Sequence, residues 1–132
     1  MNSKYPGLID QSIKAKKFSY SPYSKFSVGA ALLTSKNNIY TGTNVECVSY
    51  SMSICAERVA FTKAVSEGET KFIAIAISSS KDRFTYPCGA CRQFMNEFGP
   101  ELDVIIVRSK KDYIIKKLSD LFPGPFDKNS IK

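Results

Sequence analysis

The chain contains no histidine and no tryptophan. Without an imidazole it cannot assemble a Ser-His-Asp triad, a Cys-His nucleophile pair or a His-ligated zinc centre. Any metal site must therefore be built from sulfur and carboxylate. Long apolar runs are missing too. The longest, Phe72–Ile77, has six residues, far short of the ~20 that a membrane-spanning helix needs. Residues 1–17 hold no apolar segment of the kind that drives secretion. These absences lead us to expect a cytoplasmic protein with no membrane association. In that reducing setting its four cysteines are expected as thiols or metal ligands, not as bridges.

What is present describes a globular chain. Its 132 residues are 43% hydrophobic and 23% charged, which suits one domain over residues 1–132 with a core of its own. The polar tail Asp127–Lys132 is expected to fray. Nineteen Lys and Arg against twelve Asp and Glu give a charge of +7. Part of the excess is local, in Arg108–Lys117. A basic balance raises a nucleic-acid reading. Lysine dominates over arginine, however, and no arginine-rich stretch with interleaved aromatics occurs, so a solvated surface is the simpler account.

Periodicity orders the elements. Gly7–Lys17 carries a weak helical stripe through Leu8, Ile9 and Ile13. Phe18–Lys25 reads as a loop. Val28–Leu33 and Ile39–Val45, joined by the polar turn Ser35–Asn38, predict an antiparallel hairpin. Cys55–Ser66 predicts a helix with Val59, Ala60, Ala64 and Val65 inward, stopped by Gly68. Phe72–Ile77 and Val104–Val107 are short apolar runs suited to strands buried on both faces. Between them Cys91, Phe94, Met95 and Phe98 mark a helix over Cys88–Phe98. Tyr113–Ile115 predicts a last edge strand and Leu118–Phe122 a short helical turn. Strand–helix–strand units favour parallel pairing. The expected fold is α/β: three layers, with helices on both faces of a mixed, mostly five-stranded sheet.

The cysteines carry the chemistry. Cys88 and Cys91, in Pro-Cys-Gly-Ala-Cys, stand three residues apart on one face of a helix head. There, free N–H groups and the helix dipole stabilise thiolates. Cys55 sits at the head of the other central helix. If the two heads converge at one sheet edge, three thiolates meet. Zinc accepts three sulfurs in tetrahedral geometry and keeps one position open, which marks a catalytic rather than a closed site. Cys47 lies in the segment after the hairpin, away from any helix head, and is read as a bystander thiol. Glu57, two residues after Cys55, would stand beside the metal without binding it and could relay protons. Taken alone, it would only complement the helix dipole. Arg58 and Arg92 could each donate to the sulfurs and offset their charge, or serve in surface ion pairs. A redox C-x-x-C pair leaves Cys55 and Glu57 unexplained, and a four-thiolate zinc ribbon expects a second knuckle.

Cys-Ala-Glu followed about thirty residues later by Pro-Cys-x-x-Cys matches the three-cysteine form of the zinc deaminase signature. With FSVGAAL at 26–32, TGTNVE at 41–46, ICAER at 54–58, PCGACRQ at 87–93 and LFPGPF at 121–126, the chain resembles the small homotetrameric cytidine deaminases over nearly its whole length. The resemblance implies one Zn²⁺ per chain on Cys55, Cys88 and Cys91, with Glu57 shuttling protons to the base. It implies Asn44 and Glu46 on the ribose, Phe26 packed on the pyrimidine, and the N–H near Ala56 on the base carbonyl. Tyr50 and Phe126 would complete a neighbouring subunit's site; the reading of Arg58 as tuning the thiolate charge rests on its place three residues after Cys55. Cys47-Val48 departs from the Asn-Ala of the family pattern. The implied activity is hydrolysis of cytidine and 2′-deoxycytidine in pyrimidine salvage. A deaminase of a modified cytosine nucleoside of the blasticidin S type, or of polynucleotide cytosine, is the alternative.

Overall fold

Val28–Thr34 (β1) and Ile39–Thr43 (β2) pair antiparallel through a tight turn. Asn37 takes a positive φ of 68° there, a conformation asparagine tolerates better than most residues. The coordinates are a computed structural model and describe residues 5–132. β2 ends two residues short of the expected Val45. Asn44 leaves the ladder to bond across to the start of β1, and Val45 makes isolated bridges to Tyr20 and Ile54.

Phe72–Ser79 (β3) runs antiparallel to β1, and Asp103–Ser109 (β4) runs parallel to β3. Asp112–Lys117 (β5) closes the sheet antiparallel to β4. The order is β2-β1-β3-β4-β5, a mixed five-stranded sheet as expected. Its one parallel pair is joined by the helix Gly89–Asn96 (α3).

Helices cover both faces. Pro6–Ala15 (α1), preceded by Tyr5, packs Leu8 and Ile9 on Ala31, Ala74, Ala76, Ile105 and Val107. On the opposite face Ala56–Ser66 (α2) and α3 bury a larger cluster with Ala30, Leu32, Ile75, Ile77, Val104 and Ile106. The alternation along each strand divides its residues between these two cores. Inward residues of α2 differ from the expected set: Ala60 and Ala64 are buried, but Phe61 joins them while Val59 and Val65 are only half-buried. The Phe61 ring lies 4.8 Å from Phe72 and 5.6 Å from Phe98. Those long-range aromatic partners select it over β-branched neighbours.

Two glycines let helices sit close to the sheet. A Cβ at Gly42 would run into the Ala56 carbonyl and the Ala60 N–H of α2. A Cβ at Gly29 would meet the Ser12 carbonyl of α1. After β5 comes Leu118–Leu121 (α4). The exposed tail is arranged as a turn. A 3-10 turn over Lys128–Ile131 is closed by a capping box in which the Asp127 side chain accepts from the Asn129 N–H at 3.0 Å. No helix among the described residues is long and apolar enough to cross a membrane.

Candidate metal centre

Cys55 is the N-cap of α2 and Cys88 the N-cap of α3. Both helices start where a connection leaves the same end of the sheet, so their N-terminal N–H groups and positive dipole ends meet there. The Cys55 and Cys88 sulfurs are 3.7 Å apart, and Cys88 Sγ accepts from the Cys91 N–H at 3.4 Å. All three sulfurs lie within 4.8 Å of one another. Sulfurs on tetrahedral zinc, with bonds of ~2.3 Å, stand about 3.8 Å apart, so the donor set fits that ion in both chemistry and spacing. Among the described residues this is the only such cluster. Cys47 stands outside it, its N–H donating to Ser53 Oγ at 3.0 Å.

The electrostatics follow from burial and the two helix heads. Arg58, one turn into α2, reaches back to Cys55 Sγ at 3.7 Å. A hydrogen bond from the Cys91 thiol, then those from Arg58 and Cys88, draw the Cys55 thiol down to about 5. The Cys55 thiolate in turn holds the Arg58 guanidinium in its charged form. Glu57 is only 4% exposed. Burial pushes its carboxyl up to about 7, and the negative Cys55 adds to the rise. A carboxyl held near neutrality beside a thiolate cluster can take up and release a proton at physiological pH.

The residues expected on the ribose and the base, Asn44, Glu46 and Phe26, form a second group. Asn44 is buried. Its amide donates to the Phe26 carbonyl at 2.7 Å, and its oxygen accepts from the Val28 N–H at 2.9 Å and from the Ser19 hydroxyl. Glu46 Oε1 accepts from the N–H groups of Tyr23 and Ser24, both at 3.1 Å, while Oε2 accepts from the Ser24 hydroxyl. These bonds hold the Glu46 carboxyl below its usual range, the Ser24 hydroxyl contributing most. Asn44 and Glu46 thus both grip the loop that carries Phe26, which lies half-buried against the α2/α3 core. Ser24, unforeseen in the sequence, accepts from the Phe26 N–H at 3.0 Å while donating to Glu46. Lys25 between them takes a φ of 59°. A hollow lined by Tyr23, Ser24, Glu46, Tyr50 and Ser53 opens beside them.

Ala56 is the first residue of α2 and fully buried. Tyr50 and Phe126 are 71% and 61% exposed. Tyr50 lines the hollow of its own chain, its ring 5.8 Å from Tyr23. Arg92 does not point at the sulfurs. Its Nε donates to the Pro87 carbonyl at 2.8 Å and its Nη1 to the Leu121 carbonyl at 2.6 Å. The basic stretch also finds a local account: Arg108 pairs with Asp82 and Asp112 at 3.0 Å each, Lys110 with Asp10, and Lys117 with Asp103.

Residues 3–107 match the family model described as the cytidine and deoxycytidylate deaminase zinc-binding region. The chain is 47% identical over 124 residues to a probable cytidine deaminase of Dictyostelium discoideum, covering 93% of this chain and 84% of the relative. It is 45% identical to a cytidine deaminase of Sporosarcina psychrophila, covering 94% and 92%. The crystal structure of cytidine deaminase from Burkholderia pseudomallei superposes with a TM-score of 0.89 at 38% identity, covering 94% of this chain and 100% of that one.

Proposed function

The chain belongs to the family of cytidine and deoxycytidylate deaminases, and we infer that it hydrolytically deaminates cytidine and 2′-deoxycytidine to uridine and 2′-deoxyuridine, releasing ammonia. The observation that carries this reading is the meeting of three sulfurs at two helix heads with a buried carboxyl, Glu57, on the same turn as Cys55.

Cys55, Cys88 and Cys91 would hold the zinc ion. Once bound, the ion supplies the polarisation that brings the pKa of a water toward neutrality. Three thiolates overcompensate its charge, and the Arg58 guanidinium on Cys55 Sγ offsets the excess. Glu57 would accept one proton from the attacking water and deliver it to N3 of the cytosine, then take the second proton from the hydroxyl gained at C4 and pass it to the departing amino nitrogen, which leaves as ammonia. Its near-neutral pKa suits both halves of that task. The N–H near Ala56, at the first turn of α2 where it has no partner within the helix, would address the base carbonyl. Phe26 packs on the ring, and Asn44 and Glu46 order the loop and address the ribose hydroxyls.

Tyr50 and Phe126 complete the site of a neighbouring copy in a homotetramer. Their exposure in the single chain supports this, as does the exposure of the apolar side chains Val48 and Met52 on either side of Tyr50 in the chain. Four free thiols suit a cytoplasmic enzyme of pyrimidine salvage. The ion pairs that occupy Arg108, Lys110 and Lys117 weaken the polynucleotide alternative.

The test is an assay of purified protein with cytidine, following loss of cytosine absorbance, with zinc counted on the same sample. Conversion with about one zinc per chain is expected from a three-thiolate open site. Zinc without conversion would overturn the substrate, and turnover confined to a modified nucleoside would favour the blasticidin S type. Neither zinc nor conversion would overturn the site.

A further inference from the structure

Phe126 presents a problem of placement. Its ring is 61% exposed, so packing within its own chain does not fix it. The backbone that carries it must do so. That backbone is Leu121–Phe126, a connection in which Pro123 and Pro125 restrict φ and Gly124 turns the chain at a φ of 61°. Leu121 ends α4, where carbonyls have no helical partner.

Two consecutive side chains of α3, directly after Cys91, supply the missing donors. Arg92 Nη1 donates to the Leu121 carbonyl at 2.6 Å, and Gln93 Nε2 to the Phe126 carbonyl at 2.7 Å. Arg92 also donates through Nε to the Pro87 carbonyl at 2.8 Å, just ahead of Cys88. One guanidinium therefore spans the entry to the sulfur-bearing helix and the start of the C-terminal segment. Beyond Phe126, Lys128 lies 3.6 Å from Glu97 at the far end of α3, and the capped turn holds the chain there.

We propose that Gln93 and Arg92 are positioning residues for Phe126: they strap the C-terminal segment to the helix that carries Cys91 and set where the exposed ring is presented to substrate. The inference rests on the proposed role of Phe126 in completing a site. A ring displaced by loss of the strap binds substrate less well, while proton transfer at Glu57 is untouched. The effect therefore falls on KM and not on kcat.

The test compares Gln93→Ala, Gln93→Glu, Phe126→Ala and the double variant Gln93→Ala/Phe126→Ala, with cytidine kinetics and zinc per chain on each. Neither alanine nor a carboxylate can donate to the Phe126 carbonyl. Both Gln93 variants should raise KM about fivefold, the worth of one neutral hydrogen bond, with kcat and zinc content unchanged. Phe126→Ala should raise KM further, and the double variant should be no worse than Phe126→Ala alone. A raised KM in Phe126→Ala with none in either Gln93 variant would overturn the strap and leave the role of Phe126 standing. No change in Phe126→Ala would overturn that role, and the strap with it. Additive effects in the double variant, or loss of zinc from the Gln93 variants, would show that Gln93 acts elsewhere and would equally overturn the proposal.

Discussion

Asn44 Nδ2 donates to the Phe26 carbonyl at 2.7 Å, so the residue assigned to the sugar also fixes the residue assigned to the base. The same amide oxygen accepts from the Val28 N–H at the start of β1. Asn44→Ala would leave that buried N–H without a partner. We expect a loss of about 2 kcal/mol in urea unfolding, beyond any effect on KM. Asn44→Asp keeps the acceptor and should recover much of the stability but little of the affinity. Full stability in Asn44→Ala would show that these bonds contribute nothing net.

Glu57 is buried against the sulfur cluster but is placed outside the ligand set. Glu57→Gln should keep zinc and fold and lower kcat roughly 10³-fold, within the range of general acid–base catalysis. Stability should not fall, because a neutral amide replaces a carboxyl whose charged form burial disfavours. Full turnover in this variant would remove Glu57 from the mechanism.

Cys47 and Cys88 make a matched pair of tests. Cys88→Ser should lose zinc and activity together, since Cys88 Sγ stands 3.7 Å from Cys55 Sγ. Cys47→Ser should retain both, because Cys47 lies outside the cluster. In the native protein a strong chelator should abolish turnover and added zinc restore it. Zinc loss from Cys47→Ser would mean that the site has four sulfur ligands.

Tyr5 donates its hydroxyl to Asp103 at 2.7 Å across to β4. Burial, then that hydrogen bond and the Asp103 charge, push the phenol up to about 12 from 10.0. A folded pKa above the unfolded one means that the protonated phenol stabilises the fold. Its contribution is complete below pH 10 and drains away as pH rises toward 12. The stability difference between the native protein and Tyr5→Phe should therefore shrink across that interval. A difference that is constant from pH 8 to 12 would contradict it.

Local pattern carried much of the architecture. Alternation and apolar runs located all five strands, and the three-residue spacing of Cys88 and Cys91 placed their sulfurs on one helical turn, because both depend only on the 2.0 and 3.6 periods of the backbone. The three cysteines of the candidate metal centre could be singled out in the sequence because each sits at or near a helix head and because together they match the three-cysteine deaminase signature.

Contacts between distant segments were not legible. Phe61 turns inward in place of Val59 because Phe72 and Phe98 meet it across the core. β2 stops at Thr43 because the Val28 N–H goes to the Asn44 side-chain oxygen and not to its carbonyl, which accepts from Tyr20 instead. Arg92 serves two carbonyls, Pro87 and Leu121, rather than a sulfur. Side-chain bonds to backbone carry no periodicity, so a donor's type reveals only that it needs an acceptor. Residue types and their local spacing thus determined what chemistry this protein commands. The packing of α2 and α3 on one sheet decided which groups stand within reach of one another, since proximity across 33 residues is a property of the closed fold alone.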